Sequence, residues 1–252
     1  MIVKRLIIAD PHVGTREGDA EAMIAFLERA ERKGVGEVLY LGDTFQYLIG
    51  MAKFWTPGIE KVLEAWDGFR SRGGTVRLIE GNRDFFLDEE DLACRIDQSA
   101  LSLEFSAGDV TFRMVHGDKV NQRDWQYLFW SGLSKCLPAR LWARWLPRRL
   151  AIVIVRTMEA RLARTNRKFR YQKPVKALRE EALRAFRRGV DVQLFGHFHT
   201  LWTFADGEKM AMVVPAWLET RHALIVEETG QWHGVDENLQ PVELTEGEVT
   251  YG

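Results

Sequence analysis

Hydrophobic residues in the first third of the chain come in short unbroken runs, Leu6-Ile7-Ile8-Ala9 and Val38-Leu39-Tyr40-Leu41, separated by longer stretches whose apolar positions fall on one helical face. An apolar run without alternation suits a parallel strand covered on both sides, and parallel neighbours need helical crossovers of the length found between these runs. The pattern therefore predicts strand, helix, strand, helix, strand over Val3–Ala9, Asp19–Lys33, Glu37–Leu41, Gly58–Arg72 and Thr75–Glu80. Val110–Val115 and Asp191–Phe195 supply two more core strands. Beyond Thr200, short strands at Ala211–Val214, His222–Val226 and Gly230–Gly234 with turns between them predict an antiparallel edge or a second sheet.

Between His116 and Asp191 the pattern turns helical: Trp125, Tyr127, Leu128, Phe129 and Trp130, then Leu141, Trp142 and Trp145, then Leu150 to Leu162. Pro138 and Pro147 divide this stretch into two or three helices, because proline is tolerated in a helix's first turn but not in its interior. At 252 residues the chain is expected to form one α/β domain, residues 1–252, with a helical lid inserted at about 122–173.

Composition narrows the class. No stretch approaches the roughly 18 consecutive apolar residues of a membrane span, and the apolar run before Asp10 is too brief for a signal-peptide core, so a cytoplasmic location is expected. Cys94 and Cys136 lie far apart without metal-ligand spacing and read as small buried hydrophobes. The net charge of −1 conceals a strong asymmetry: Gln122 to Lys173 holds thirteen basic and two acidic residues, a net +11 that leaves −12 on the rest. Such a segment points to an anionic partner, whether a membrane surface, nucleic acid or a phosphorylated substrate.

The chemistry-bearing residues sit just past the predicted strands. Asp10 and His12 follow the first, Asp43 in Gly42-Asp43 the next, and Asn82 in Gly81-Asn82-Arg83-Asp84 another. His116 follows Val110–Val115 in His116-Gly117-Asp118, and Asp191–Phe195 ends in Gly196-His197-Phe198-His199. Open α/β sheets bind ligands at the carboxyl ends of their strands, so groups distant in sequence converge on one crevice. Carboxylates, imidazoles and an amide are the inventory for two divalent ions roughly 3.5–4 Å apart, with Asp43 as the natural bridge. Taken singly, an Asp-x-His is more often a turn, Asn82 a turn former and His116 a satisfied core or surface histidine; five motifs in order, each at a strand end, favour a metal site. His197 and His199, two apart, would point the same way in a strand but can address separate metals on a loop.

These residues resemble the calcineurin-like metallophosphoesterases over residues 8 to 199: Asp-x-His, Gly-Asp, Gly-Asn, a lone His and Gly-His-x-His. Gly81-Asn82-Arg83-Asp84-Phe85-Phe86-Leu87 and Gly42-Asp43-Thr44-Phe45 look like the UDP-2,3-diacylglucosamine pyrophosphohydrolases of lipid A biosynthesis, in which arginine replaces the histidine usual after the asparagine. The helical insertion, Asp124 with Tyr127, and Pro215-Ala216-Trp217 also look like that family. The resemblance implies a sandwich of two mixed β-sheets flanked by helices. It implies one metal held by Asp10, His12, Asp43 and His199 and a second by Asp43, Asn82, His116 and His197, with manganese as the ion. Substrate contacts are implied for Asn82, Arg83, Asp124, His197 and, in the lid, Asn166 and Lys168. The chain departs from the family at Leu162, where it has serine, at Phe169, where it has lysine, and at Gln46, where it has an acidic residue.

The expected reaction is metal-dependent hydrolysis of the pyrophosphate bond of UDP-2,3-diacylglucosamine to UMP and 2,3-diacylglucosamine 1-phosphate, with Asp43, Asn82 and Arg83 as the catalytic residues. Arg83, always charged and shaped for bidentate oxygen contacts, would neutralise charge on the phosphoryl oxygens; its bland alternative is an ion pair with Asp84. Asp118 is placed to orient a ligand imidazole. Trp125, Trp130, Trp142, Trp145, Arg140, Arg144, Arg148 and Arg149 suit a membrane interface, where a diacyl substrate resides, unless the aromatics pack onto the core. The expected partners are thus a glycolipid nucleotide and the cytoplasmic face of the inner membrane, held peripherally, with no nucleic acid. A nuclease or cyclic-nucleotide phosphodiesterase would use the basic insertion on a phosphate backbone, and Arg83 with Asp124 and Tyr127 argues against it. A noncatalytic scaffold is the remaining alternative.

Overall fold

The computed structural model describes residues 3–120, 135–154, 157 and 173–244. Strands β1 (Lys4–Ile8), β2 (Val35–Tyr40), β4 (Thr75–Ile79) and β6 (Gln98–Ala100) run parallel, with the helices α1 (Asp19–Arg32) and α2 (Pro57–Ser71) as crossovers. β12 (Ala223–Val226), β13 (Trp232–Val235) and β14 (Pro241–Val242) extend this sheet antiparallel from β1, giving, among the described residues, the order β14-β13-β12-β1-β2-β4-β6.

A second sheet has the order β10-β11-β9-β8-β7, built from β7 (Ser102–Ala107), β8 (Val110–Val115), β9 (Val192–Phe195), β10 (Trp202–Asp206) and β11 (Lys209–Val213). Its β8, β9 and β11 are parallel, while β7 and β10 are antiparallel edges. β3 (Leu48–Ile49) and β5 (Asp84–Phe85) form a separate short parallel pair. The expected class, two mixed sheets flanked by helices, is the one observed.

Period-2 geometry explains how an unbroken apolar run serves two cores at once. Leu6 and Ile8 face the helices, where they join Met23 and Phe26 of α1 and Val62, Leu63 and Trp66 of α2. Ile7 and Ala9 face the other way, against Phe112, Met114, Leu194 and Met212 of the second sheet. The helix Val175–Arg187 covers that sheet's outer face through Leu178, Ala182 and Phe186. Both helical crossovers carry their own start signals: Asp19 and Glu21 complement the dipole of α1, while Thr56 caps Ile59 N of α2 and Pro57 occupies its first turn.

Several expectations shift. The strand placed at Gly230–Gly234 begins at Trp232, because Gly230, at φ 89°, closes a turn back to Glu227. Both alternatives for the region after Thr200 occur: β12 to β14 form an antiparallel edge, and β10 and β11 complete the second sheet. Cys94 is exposed, not buried, and Cys136 is half-buried. Cys94 ends the short helix Glu90–Ala93 on its solvent side, with Sγ donating to Asp91 O at 3.4 Å.

The described part of 122–173 is helical at Leu137–Trp145 and at 148–154, with Pro138 in the first turn of one helix and Pro147 just before the other. Asp124, Tyr127, Asn166 and Lys168 lie outside the described residues. Glu89 ties this part to the body: Oε1 accepts from Arg140 Nε, and Oε2 from Arg144 Nη2 at 2.8 Å. Burial alone would raise Glu89's pKa, and the two guanidiniums more than reverse that, holding its carboxyl below the usual range. Lys53 Nζ caps the helix end by donating to Arg144 O and Leu146 O, at 2.8 and 2.9 Å.

In the core beneath β2, Trp66 Nε1 donates to Tyr40 Oη at 2.9 Å with both side chains fully buried. Tyr40→Phe leaves that indole N–H without its acceptor, so urea denaturation is expected to show about 1–3 kcal/mol lost. Metal binding should be unchanged.

Candidate metal centre

The parallel strands of both sheets end on the same side, and the turns that follow carry the candidate ligands: Asp10 after β1, Asp43 after β2, Asn82 after β4, His116 after β8, and His197 and His199 after β9. Five of the seven adopt left-handed backbone: Asp10 and His12 at φ 45°, Asp43 at 48°, His197 at 69° and His199 at 55°. Few non-glycine residues do so, and backbone strain of this kind concentrates at functional sites. Two glycines make room for the cluster. A Cβ on Gly42, itself at φ 87°, would enter the His116 ring, and one on Gly81 would overlap the Asp43 carboxylate.

The side chains divide into two lobes that meet at Asp43. In one, His12 Nε2 faces His199 Nε2 at 3.3 Å, with Asp10 Oδ1 3.9 Å from His199 Nε2 and Asp43 Oδ2 3.8 Å from His12 Nε2. In the other, Asn82 Oδ1 lies 3.2 Å from His116 Nε2 and 3.1 Å from His197 Nδ1, and Asp43 Oδ1 is 3.6 Å from His116 Nε2. Asp43 thus turns one oxygen to each lobe. The left-handed turn sends His197 and His199 to different lobes, as two ligands on a loop can do.

The donor set fits divalent cations. Asp10 is fully buried; its Oδ2 accepts from His197 N at 2.8 Å, while Oδ1 has no hydrogen-bond partner and points between the histidines. An unpartnered buried carboxylate oxygen is costly, and a cation is the usual remedy. Burial raises Asp10's pKa against the opposing pull of His116 and His199. Asp10, His12 and His199 form one cluster of mutually close ligand atoms, and Asp10, Asp43 and His116 another. Imidazole, carboxylate and amide donors without a thiolate suit first-row divalent ions.

Neighbouring groups set the donors. His116 Nδ1 lies 3.0 Å from Leu41 O, which fixes its proton there and leaves Nε2 for the site. The charge of Asp118 acts on both His116 and His197. Asp84, fully buried, accepts from Asp43 N at 3.0 Å and Gly81 N at 2.8 Å, locking the two ligand turns together; burial and then Asp43 push its carboxyl up to about 7. Arg83 is buried, with Nε 3.7 Å from Asp43 Oδ2 and Nη1 donating to Gln46 O at 3.2 Å. Sequence reasoning missed Glu219, whose Oε1 is 3.0 Å from His199 Nδ1. It lies in a four-residue helix, too short to show a periodic signal.

Residues 3–201 match the family model described as calcineurin-like phosphoesterase, and the chain belongs to that family. Among curated proteins, it is 33% identical over 130 residues to a UDP-2,3-diacylglucosamine hydrolase of Stutzerimonas stutzeri (strain A1501), covering 49% of this chain and 51% of the relative. It is 34% identical over 86 residues to the protein of the same name in Aeromonas salmonicida (strain A449), covering 34% and 33%. The chain therefore spans about half and about a third of these two relatives. Among solved structures, a conserved uncharacterised protein of Streptococcus pneumoniae TIGR4, a predicted phosphoesterase, aligns over 95% of this chain and 92% of its own at 12% identity and a TM-score of 0.44, too loose a likeness to bear on function.

Protonation opposes metal loading in a calculable direction. Burial lowers the pKa of His116, but Asp43, Asp10 and Asp118 outweigh it and hold the ring at about 9, while burial and His116 depress His197 to about 3. Below pH 9 a metal ion must displace the His116 proton, so apparent affinity should rise about tenfold per pH unit from 6 to 9 and then level off. Calorimetric titration at pH 7 in buffers of differing ionisation enthalpy should register the released proton; a pH-independent affinity would contradict the assignment of His116.

Proposed function

We propose that the chain hydrolyses the pyrophosphate bond of UDP-2,3-diacylglucosamine, releasing UMP and 2,3-diacylglucosamine 1-phosphate, with two divalent ions, manganese by preference. The observation that carries the chemistry is Asp43 shared between two histidine-bearing lobes with the Arg83 guanidinium beside it. One ion would be held by Asp10, His12, Asp43 and His199, the other by Asp43, Asn82, His116 and His197. Such ions supply charge neutralisation at phosphoryl oxygens and acidify water, so no protein nucleophile is needed.

The chain's own residues do the rest. Arg83 neutralises charge that builds on the phosphoryl oxygens, and its burial against Asp43 keeps the guanidinium desolvated, where such contacts are strongest. Asn82 and His197, whose Oδ1 and Nδ1 lie 3.1 Å apart, are proposed substrate contacts in one lobe, and Asp124, Asn166 and Lys168 are proposed substrate contacts from the lid at about 122–173.

The substrate assignment is supported by the names of the two relatives and by the insertion's surface. Trp142 and Trp145 are 60% and 84% exposed, alongside exposed Leu137, Leu141 and Leu150, so these aromatics do not pack onto the core. Arg148 and Arg149 are exposed with them, whereas Arg140 and Arg144 are tied to Glu89. Exposed apolar and basic side chains close in sequence suit a membrane surface carrying anionic lipid, consistent with peripheral attachment at the cytoplasmic side of the inner membrane. No helix among the described residues is long and apolar enough to cross a membrane.

Purified protein should release UMP from UDP-2,3-diacylglucosamine with manganese present and lose that activity when the metal is stripped or Asp43 is replaced by alanine. Hydrolysis of generic phosphodiesters without UMP release would move the function to another substrate of the same family. Arg83→Ala should lower turnover at least tenfold, and a smaller loss would end its catalytic assignment. In liposome sedimentation, charge reversal at Arg148 and Arg149 should weaken binding to anionic vesicles; unchanged binding would remove the membrane argument.

A further inference from the structure

Behind the two lobes the supporting groups are not alike. His116 Nδ1 faces the Leu41 carbonyl, a neutral acceptor, at 3.0 Å. His199 Nδ1 faces a carboxylate, Glu219 Oε1, at the same distance, with His199 2% exposed and the Glu219 side chain 15%. A carboxylate can only accept, so a neutral His199 carries its proton on Nδ1 and directs its Nε2 lone pair at His12 Nε2 and Asp10 Oδ1. A full negative charge on the far nitrogen also makes an imidazole a more basic metal donor than a carbonyl does.

Glu219 is held there firmly. Its helix, Trp217–Thr220, begins with Trp217 N donating to Ala9 O at 2.8 Å, one residue before Asp10. Arg16 Nη1 donates to Leu218 O at 3.0 Å. The helix ends in Arg221, at φ 55°, whose guanidinium lies 3.9 Å over the Trp217 ring and donates to buried Asp19 at 2.8 Å. Asp10, His199 and Glu219 are thereby fixed to one another, although Glu219 lies past residue 201, where the family match ends.

We infer that Glu219 is a positioning residue that sets the tautomer of His199 and backs its metal-facing nitrogen with a carboxylate, making the lobe of Asp10, His12 and His199 the tighter of the two metal sites. The inference rests on the two-metal reading of the centre. Metal-free wild type, Glu219→Gln and Glu219→Ala would be titrated with manganese, following free Mn2+ by electron paramagnetic resonance, which counts each site separately from turnover. Wild type should show two sites of unequal affinity. Glu219→Ala should weaken the tighter one about 10- to 100-fold and leave the other within about twofold. Glu219→Gln, which keeps an acceptor but not the charge, should fall between.

A merely structural role would lower both sites together, and no change in either would equally overturn the inference. Binding of fewer than two ions by wild type would instead refute the two-metal reading. Nitrogen chemical shifts of the metal-free wild type add a readout that needs no variant: His199 should be protonated on Nδ1, and a proton on Nε2 alone would overturn the assignment whatever the variants do.

Discussion

Everything at the carboxyl ends of the two sheets depends on one carboxylate. Asp43 is almost fully buried, takes the Arg83 amide on Oδ1, and stands between imidazoles on both sides. Taking such a charge out of water is unfavourable unless the surroundings return the lost interactions. Here the return comes from backbone amides, a guanidinium and the positive charge the histidines or bound cations supply. Asp84 anchors the arrangement from below by bonding the amides of Asp43 and Gly81, so the turns after β2 and β4 behave as one unit.

That dependence explains why the fold needs two sheets. A single open sheet could offer the turns after β1, β2 and β4, which bring Asp10, His12, Asp43 and Asn82. The remaining imidazoles come from β8 and β9 of the other sheet, and the apolar layer of Ile7, Leu39, Met114 and Leu194 sets the spacing between them. Packing thus acts on chemistry at a distance: a change in side-chain volume within that layer would alter the gap across which Asn82 reaches His116 and His197.

The central strands and crossover helices were legible because each obeys a local rule: β1 and β2 end in unbroken apolar runs, β4 sets Val76, Leu78 and Ile79 around Arg77, and α1 and α2 repeat apolar residues every three or four positions. The candidate cluster was legible because its members sit at strand ends, four of them, Asp43, Asn82, His116 and His197, beside glycine. β6, with Gln98-Ser99-Ala100, carries no such signal, being a polar edge whose pairing with β4 is decided by tertiary context. Arg140 and Arg144 look identical in sequence to Arg148 and Arg149, yet one pair grips Glu89 and the other faces solvent. Charge counting finds a basic segment but not the partner of each charge. Glu219 was silent for a similar reason, since its contact with His199 exists only after the C-terminal strands have brought its helix back to β1.

The left-handed backbone at Asp10, His12, Asp43, His197 and His199 has an evolutionary consequence. Each such residue carries strain of about 1–3 kcal/mol that glycine would relieve. Selection for stability alone would therefore erode this centre, position by position, toward glycine or asparagine. A chain that carries aspartate and histidine at all five holds this cluster against its own stability, and a variant freed of that requirement would change first in these turns, while the sheets beneath them stayed as they are.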